Sequence, residues 1–206
     1  MTTRRLVHPT DVQPGDVLVV RNPRSCVGKL IRMGQALNDD VNAWNHVIIA
    51  VGSSLSAPDG HGVPAPGIFW GIEARAGGVG WVDVDKWVKD RWTISNSVQP
   101  KTDAGRALAV SAARALLGTP YDFAQVIKDA LDDLRPMLRT RRAQGQFGAL
   151  LATVPLYVVC SSLAAKVYDA AALARPHRTS ARFAADDWQG IQPADWARFC
   201  LTEGWR

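Results

Sequence analysis

The sequence predicts a single domain that mixes strands and helices, and three observations predict it. Short β-prone runs separated by Gly- and Pro-containing turns crowd into the first hundred residues. Alanine- and leucine-rich stretches with helical start and stop signals fill the second hundred. The chain has 206 residues, 47% hydrophobic and 21% charged, which suits one globular domain, or one domain with a sizeable insertion, able to bury a core.

The elements follow in order. Pro14-Gly15 is a turn signal that feeds a strand ending near Val20, and residues 24–37 carry apolar side chains at mixed helical spacing, which predicts a short helix. Asn45 to Val51 is a second strand, and the Gly-, Pro- and Ser-rich stretch 53–66 predicts an exposed loop. Ile68 to Arg75 forms a third strand, paired with the second across that loop. Gly77 to Gly80 predict a turn, Val82 to Val84 a short strand, Asp85 to Lys89 a short helix and Trp92 to Val98 another strand. Asp103 opens a long helix that Gly118-Thr119-Pro120 stops, and Tyr121 to Leu134 continues as a second helical segment. Arg135 to Gly148 is a basic excursion between elements. Ser161 to Leu173 reads as a helix, and Pro193 suits the first turn of a last one.

Composition excludes several classes. No stretch approaches the roughly 18 uninterrupted apolar residues of a membrane helix, since the run Ala149 to Cys160 is broken by Thr153 and Pro155. The first residues carry charge without an apolar signal core, so the expected location is the cytoplasm, or a route out of it without a cleaved signal. Three cysteines in separate contexts, Cys26, Cys160 and Cys200, predict free thiols rather than a disulfide framework or a zinc site. The net charge of +5 has its clearest local source in Arg135, Arg139, Arg141 and Arg142. That segment can meet nucleic acid, an anionic wall or an acidic protein, or it simply balances Asp129, Asp132 and Asp133 in solvent. No cofactor is called for, and nucleic acid is the weakest of these partners.

Chemistry concentrates at Cys160. It stands where an apolar run meets a helix, so the first-turn N–H groups and about half a positive charge from the helix dipole favour a thiolate there. A nucleophilic thiol needs a base and the base needs an orienting partner. Of the four histidines, His8, His61 and His177 lie in irregular stretches, whereas His46 opens a β-prone strand that can hold an imidazole rigidly. The alternative is a structural histidine satisfied by a backbone carbonyl. Glu73, flanked by apolar residues in the next strand, favours the first reading, because a carboxylate there is costly unless paired. It either faces His46 or points to solvent from an edge. Cys26 lies in Arg24-Ser25-Cys26-Val27-Gly28 and reads better as a small buried thiol, and Cys200 as packing. The eight tryptophans are core residues by default, although Trp70, Trp81, Trp87 and Trp92 cluster enough to line a groove.

Taken together, Pro14-Gly15-Asp16-Val17-Leu18, Trp44-Asn45-His46-Val47-Ile48-Ile49, Ile72-Glu73-Ala74, Tyr121-Asp122, Cys160-Ser161-Ser162-Leu163 and Gln192-Pro193-Ala194-Asp195 resemble a known family. They are similar to the circularly permuted papain-like hydrolases of the NlpC superfamily, in particular the YiiX/YaeF-like group, in which the histidine precedes the cysteine. The resemblance runs from about residue 11 to 197. It implies an α+β fold, with a small, mostly antiparallel sheet packed against the helix that bears the nucleophile. It implies Cys160 as nucleophile, His46 as general base and Glu73 as the third member. Tyr121 matches a tyrosine beside the cleft in related enzymes, and it equally suits an ordinary core position; Ser161 stands beside the nucleophile where an oxyanion is held. Peptidoglycan stem-peptide cleavage is the activity the wider superfamily implies, and carriage in a phage particle would reconcile it with the missing signal. Lipid-acyl transfer or thioester cleavage, and a non-enzymatic assembly module docking through the 135–142 segment, are the other readings.

Overall fold

In the computed structural model, the residues described are 12–20, 44–53, 68–75, 77–85, 93–95, 102–121, 160–173, 191 and 193–203. They form a mixed α and β structure with a small antiparallel sheet and three α-helices. The strands are β1 (Val17–Val20), β2 (His46–Gly52), β3 (Trp70–Arg75), β4 (Gly78–Asp83) and β5 (Thr93–Ser95), in the sheet order β4-β3-β2-β1-β5. The helices are α1 (Asp103–Ala115), α2 (Cys160–Ala170) and α3 (Pro193–Glu203).

The sheet is buried on both faces, which explains why β1 and β2 are continuous apolar runs instead of alternating ones. One face, with Val17, Val19, Val47, Ile49 and Ile72, packs on Ala109 and Ala113 of α1, Leu163, Val167 and Tyr168 of α2, and Trp196 of α3. The other carries Leu18, Val20, Ile48, Ala50, Val82 and Val84, closed at one end by Val12 and Phe69. The strands can lie this close only where side chains permit. At Gly71 a Cβ would stand 2.6 Å from Cγ2 of Ile48 and 2.9 Å from the Ile49 carbonyl oxygen, so only glycine fits.

The turn before β1 does more than reverse the chain. Gly15 adopts φ +86° and Asp16 N–H donates to the Gln13 carbonyl at 3.1 Å, the geometry of a type II turn with proline in its second position. Asp16 is fully buried, accepts from the Gln13 N–H at 2.9 Å and pairs with Arg106 of α1 at 2.8 Å. Tyr168 of α2 donates its hydroxyl to the Gly15 carbonyl at 2.9 Å. Arg106 also donates to the Pro14 carbonyl at 2.9 Å, so sheet, α1 and α2 meet at three consecutive residues, Pro14, Gly15 and Asp16.

Two expectations need correction. The strand expected at 82–84 begins earlier, at Gly78, and the turn expected over 77–80 shrinks accordingly. Gly78 takes φ +100° at the hairpin, and Val79 and Trp81 register with Ala74 and Ile72, so their apolar burial extends the strand through the glycines. Tyr121, where the sequence predicts the start of a second helical segment, makes an isolated strand-type pairing after α1, and the rest of that segment, 122–134, lies outside the described residues. The pairing of the second and third strands, the start of α1 at Asp103, and the last helix opening at Pro193 all match expectation, and the Thr102 side chain caps α1 by accepting from the Gly105 N–H. The predicted helix at 24–37, the basic stretch 135–148, Cys26, the other three histidines and the side chain of Cys200 lie outside the described residues.

Candidate active site

Cys160 is the first residue of α2 and is 2% exposed. The first N–H groups of a helix have no intrahelical partners, and no acidic residue occupies this first turn to compete for them. The turn is fixed from behind by α3. Ser161 donates its hydroxyl to the Ile191 carbonyl, and Trp196 donates its indole N–H to the Ser161 carbonyl at 3.0 Å. All three residues are buried. The Ser161 hydroxyl is thus spent on structure, and what the helix start offers an incoming oxygen is its backbone N–H groups.

His46 is the first residue of β2, with Val20 as its cross-strand partner. Glu73 stands opposite Ile48, one step diagonal from His46 on the same side of the sheet, a spacing that long side chains bridge. The ring Nε2 lies 2.6 Å from Oε2 of Glu73, with the two side chains 14% and 5% exposed. The Cys160 side chain is the imidazole's other partner, through its charge and a hydrogen bond. The other carboxylate oxygen, Oε1, faces the Arg75 guanidinium at 3.5 Å.

The electrostatics follow from this arrangement. Burial by itself pushes the imidazole down, because a charged ring loses its water. The negative charge and hydrogen bond of Cys160, then the hydrogen bond and charge of Glu73, outweigh that burial and lift His46 to about 10. An imidazole held between a sulfur and a carboxylate is the arrangement that accepts a thiol proton and, as imidazolium, keeps it within reach of a leaving group.

Cys160, His46 and Glu73, separated by up to 114 residues of sequence, are thus joined in one hydrogen-bonded line. Tyr121 is half-buried and packs against the helix-side core. Trp81 and Trp196 are core residues, the former under the Arg114 guanidinium at 5.7 Å. Three contributors were not singled out from sequence: Arg75, and the latch formed by Ile191 and Trp196. Arg75 had a legible signal, since residues two apart on a strand share a side of the sheet. The latch had none in local pattern. Among the described residues no group of three or more His, Cys, Asp or Glu is arranged to hold a metal ion, and no helix is long and apolar enough to cross a membrane. Comparison of the chain with family models, with curated proteins and with solved structures finds no match in any of the three.

Proposed function

We propose that the protein is a cysteine hydrolase of the permuted papain-like kind, cleaving an amide or peptide bond through an acyl-enzyme. The observation that carries the proposal is the His46 ring, bonded on one side to a buried Glu73 and on the other to a thiol at a helix start. In this reading the Cys160 proton passes to His46 and the thiolate attacks the substrate carbonyl carbon. The carbonyl electron pair moves onto oxygen, where first-turn N–H groups of α2 receive it. Collapse expels the amine with the His46 proton. Water then loses a proton to His46, attacks the thioester and regenerates the thiol. Glu73 keeps the imidazole oriented and balances its charge throughout.

The leading substrate is a peptidoglycan stem peptide, by the motif resemblance. The test is a panel of stem-peptide, aminoacyl-amide and acyl-ester substrates, run with wild type and Cys160→Ala. Turnover of a peptide or amide should fall by about a thousandfold or more in the variant, with its circular dichroism unchanged. Hydrolysis retained by Cys160→Ala defeats the mechanism. Turnover confined to acyl esters moves the assignment to lipid-acyl chemistry, and no turnover of any substrate moves it to an assembly module.

A further inference from the structure

Arg75 stands apart from the other charged groups around the site. It lies two residues beyond Glu73 on β3, so both side chains rise from the same side of the sheet. Its Nη1 is 3.5 Å from Oε1 of Glu73, while Oε2 of the same carboxylate holds His46. The residue across from Glu73 on β4 is Gly80. A Cβ there would meet nothing nearer than Nη2 of Arg75, at 4.0 Å, which places the guanidinium beside Gly80. The two ends of the pair differ in environment. Arg75 is 59% exposed and Glu73 only 5%.

That asymmetry matters because the charges on either side of Glu73 behave differently in time. His46 gains and loses its proton in each turnover, so its positive charge is intermittent. A guanidinium keeps its charge at every working pH. Whenever the imidazole is neutral, Glu73 would be a buried carboxylate with no opposing charge, which is costly. We infer that Arg75 is a positioning residue: the standing counter-charge that holds the Glu73 carboxylate turned toward His46 while the imidazole changes state. The inference rests on the catalytic reading of the Cys160 site. Arg75 acts only through the carboxylate and touches neither thiol nor substrate.

The experiment is a double-substitution cycle on the full chain with two readouts: kcat and KM on the substrate that wild type turns over, and the rate at which iodoacetamide alkylates Cys160. Residues in one ion-pair network commonly couple by an amount worth a few-fold to a hundredfold. With the guanidinium mostly in solvent the effect sits at the low end, and Arg75→Ala should lower kcat and the alkylation rate a few-fold, with KM unchanged. Arg75→Lys should restore most of both. In a Glu73→Gln background, where no carboxylate needs balancing, Arg75→Ala should change neither. Because the guanidinium is mostly exposed, Arg75→Ala should melt within a degree or two of wild type. Equal losses in the two backgrounds would overturn the inference, as would a rise in KM alone, which marks a substrate contact. Alkylation needs no substrate, so the inference can fail with hydrolysis intact, and hydrolysis can fail with the coupling intact.

Discussion

Replacing Gly71 by alanine should loosen the sheet at the place where the candidate site is built. The new Cβ would lie 2.6 Å from Cγ2 of Ile48, 2.8 Å from Cγ2 of Val84 and 2.9 Å from the Ile49 carbonyl oxygen. The two methyls belong to β-branched side chains with few alternative rotamers, and the third contact is backbone of the neighbouring strand. Relief therefore requires β2 and β3 to part by several tenths of an ångström. Overpacking of this kind costs about 1–3 kcal/mol. For a chain of this size that is a melting-temperature fall of about 2–12 °C. Gly77→Ala is the control, because a Cβ there meets nothing within 4 Å, and it should be neutral or slightly stabilising. Urea denaturation followed by tryptophan fluorescence compares the two. Since His46 and Glu73 sit on the strands being forced apart, Gly71→Ala should also slow Cys160 alkylation. Equal midpoints for the two variants would refute the packing argument.

Two further outcomes are expected. His46 is lifted from 6.5 to about 10 in the folded chain, so the folded state holds a proton that the unfolded state releases. The stability this supplies is fully present below pH 6.5 and is lost as pH rises through about 10. Denaturation midpoints measured across that window should decline; Cys160→Ala should flatten the decline most and Glu73→Gln in part, and a slope unchanged in both variants argues against the pairing. Trp196→Phe keeps a ring against Tyr168, 5.2 Å away centroid to centroid, but removes the donor to the Ser161 carbonyl. It should cost about 1–2 kcal/mol and lower kcat more than it changes KM, and an unchanged kcat would remove the latch from the positioning of the nucleophile helix.

Much of this architecture is legible locally, for identifiable reasons. Pro14-Gly15 announces its turn, Asp103 and Pro193 open their helices where expected, and the β-prone Val47–Val51 run forms a buried strand. The meeting of His46 and Glu73 is legible too, because a carboxylate between apolar neighbours demands a partner. Strand β4 is not, since Gly78 and Gly80 carry the signature of a turn, and only registry with β3 converts them into strand. Asp16 with Arg106, and Ser161 with Ile191 and Trp196, are equally hidden: their partners lie 30 to 90 residues away, and nothing in a local window selects them. Arg75 falls between. Its spacing from Glu73 places it correctly, yet an arginine ending a strand looks like any solvated charge until Glu73 is seen to be buried.

The turn at Gly15 has a consequence for how the chain comes to be folded. Its carbonyl receives the Tyr168 hydroxyl across 153 residues, and its neighbour Asp16 meets Arg106 across 90. Contacts of such separation form late, after the entropy of closing long loops has been met. During synthesis β1 and β2 emerge first and wait, their apolar faces unsatisfied, until α2 clears the ribosome. Cys160 arrives on that same helix. In the proposed reading the thiol and its base therefore come together only after α2 has joined the sheet, and the first turn of that helix is latched last of all, when Ile191 and Trp196 arrive.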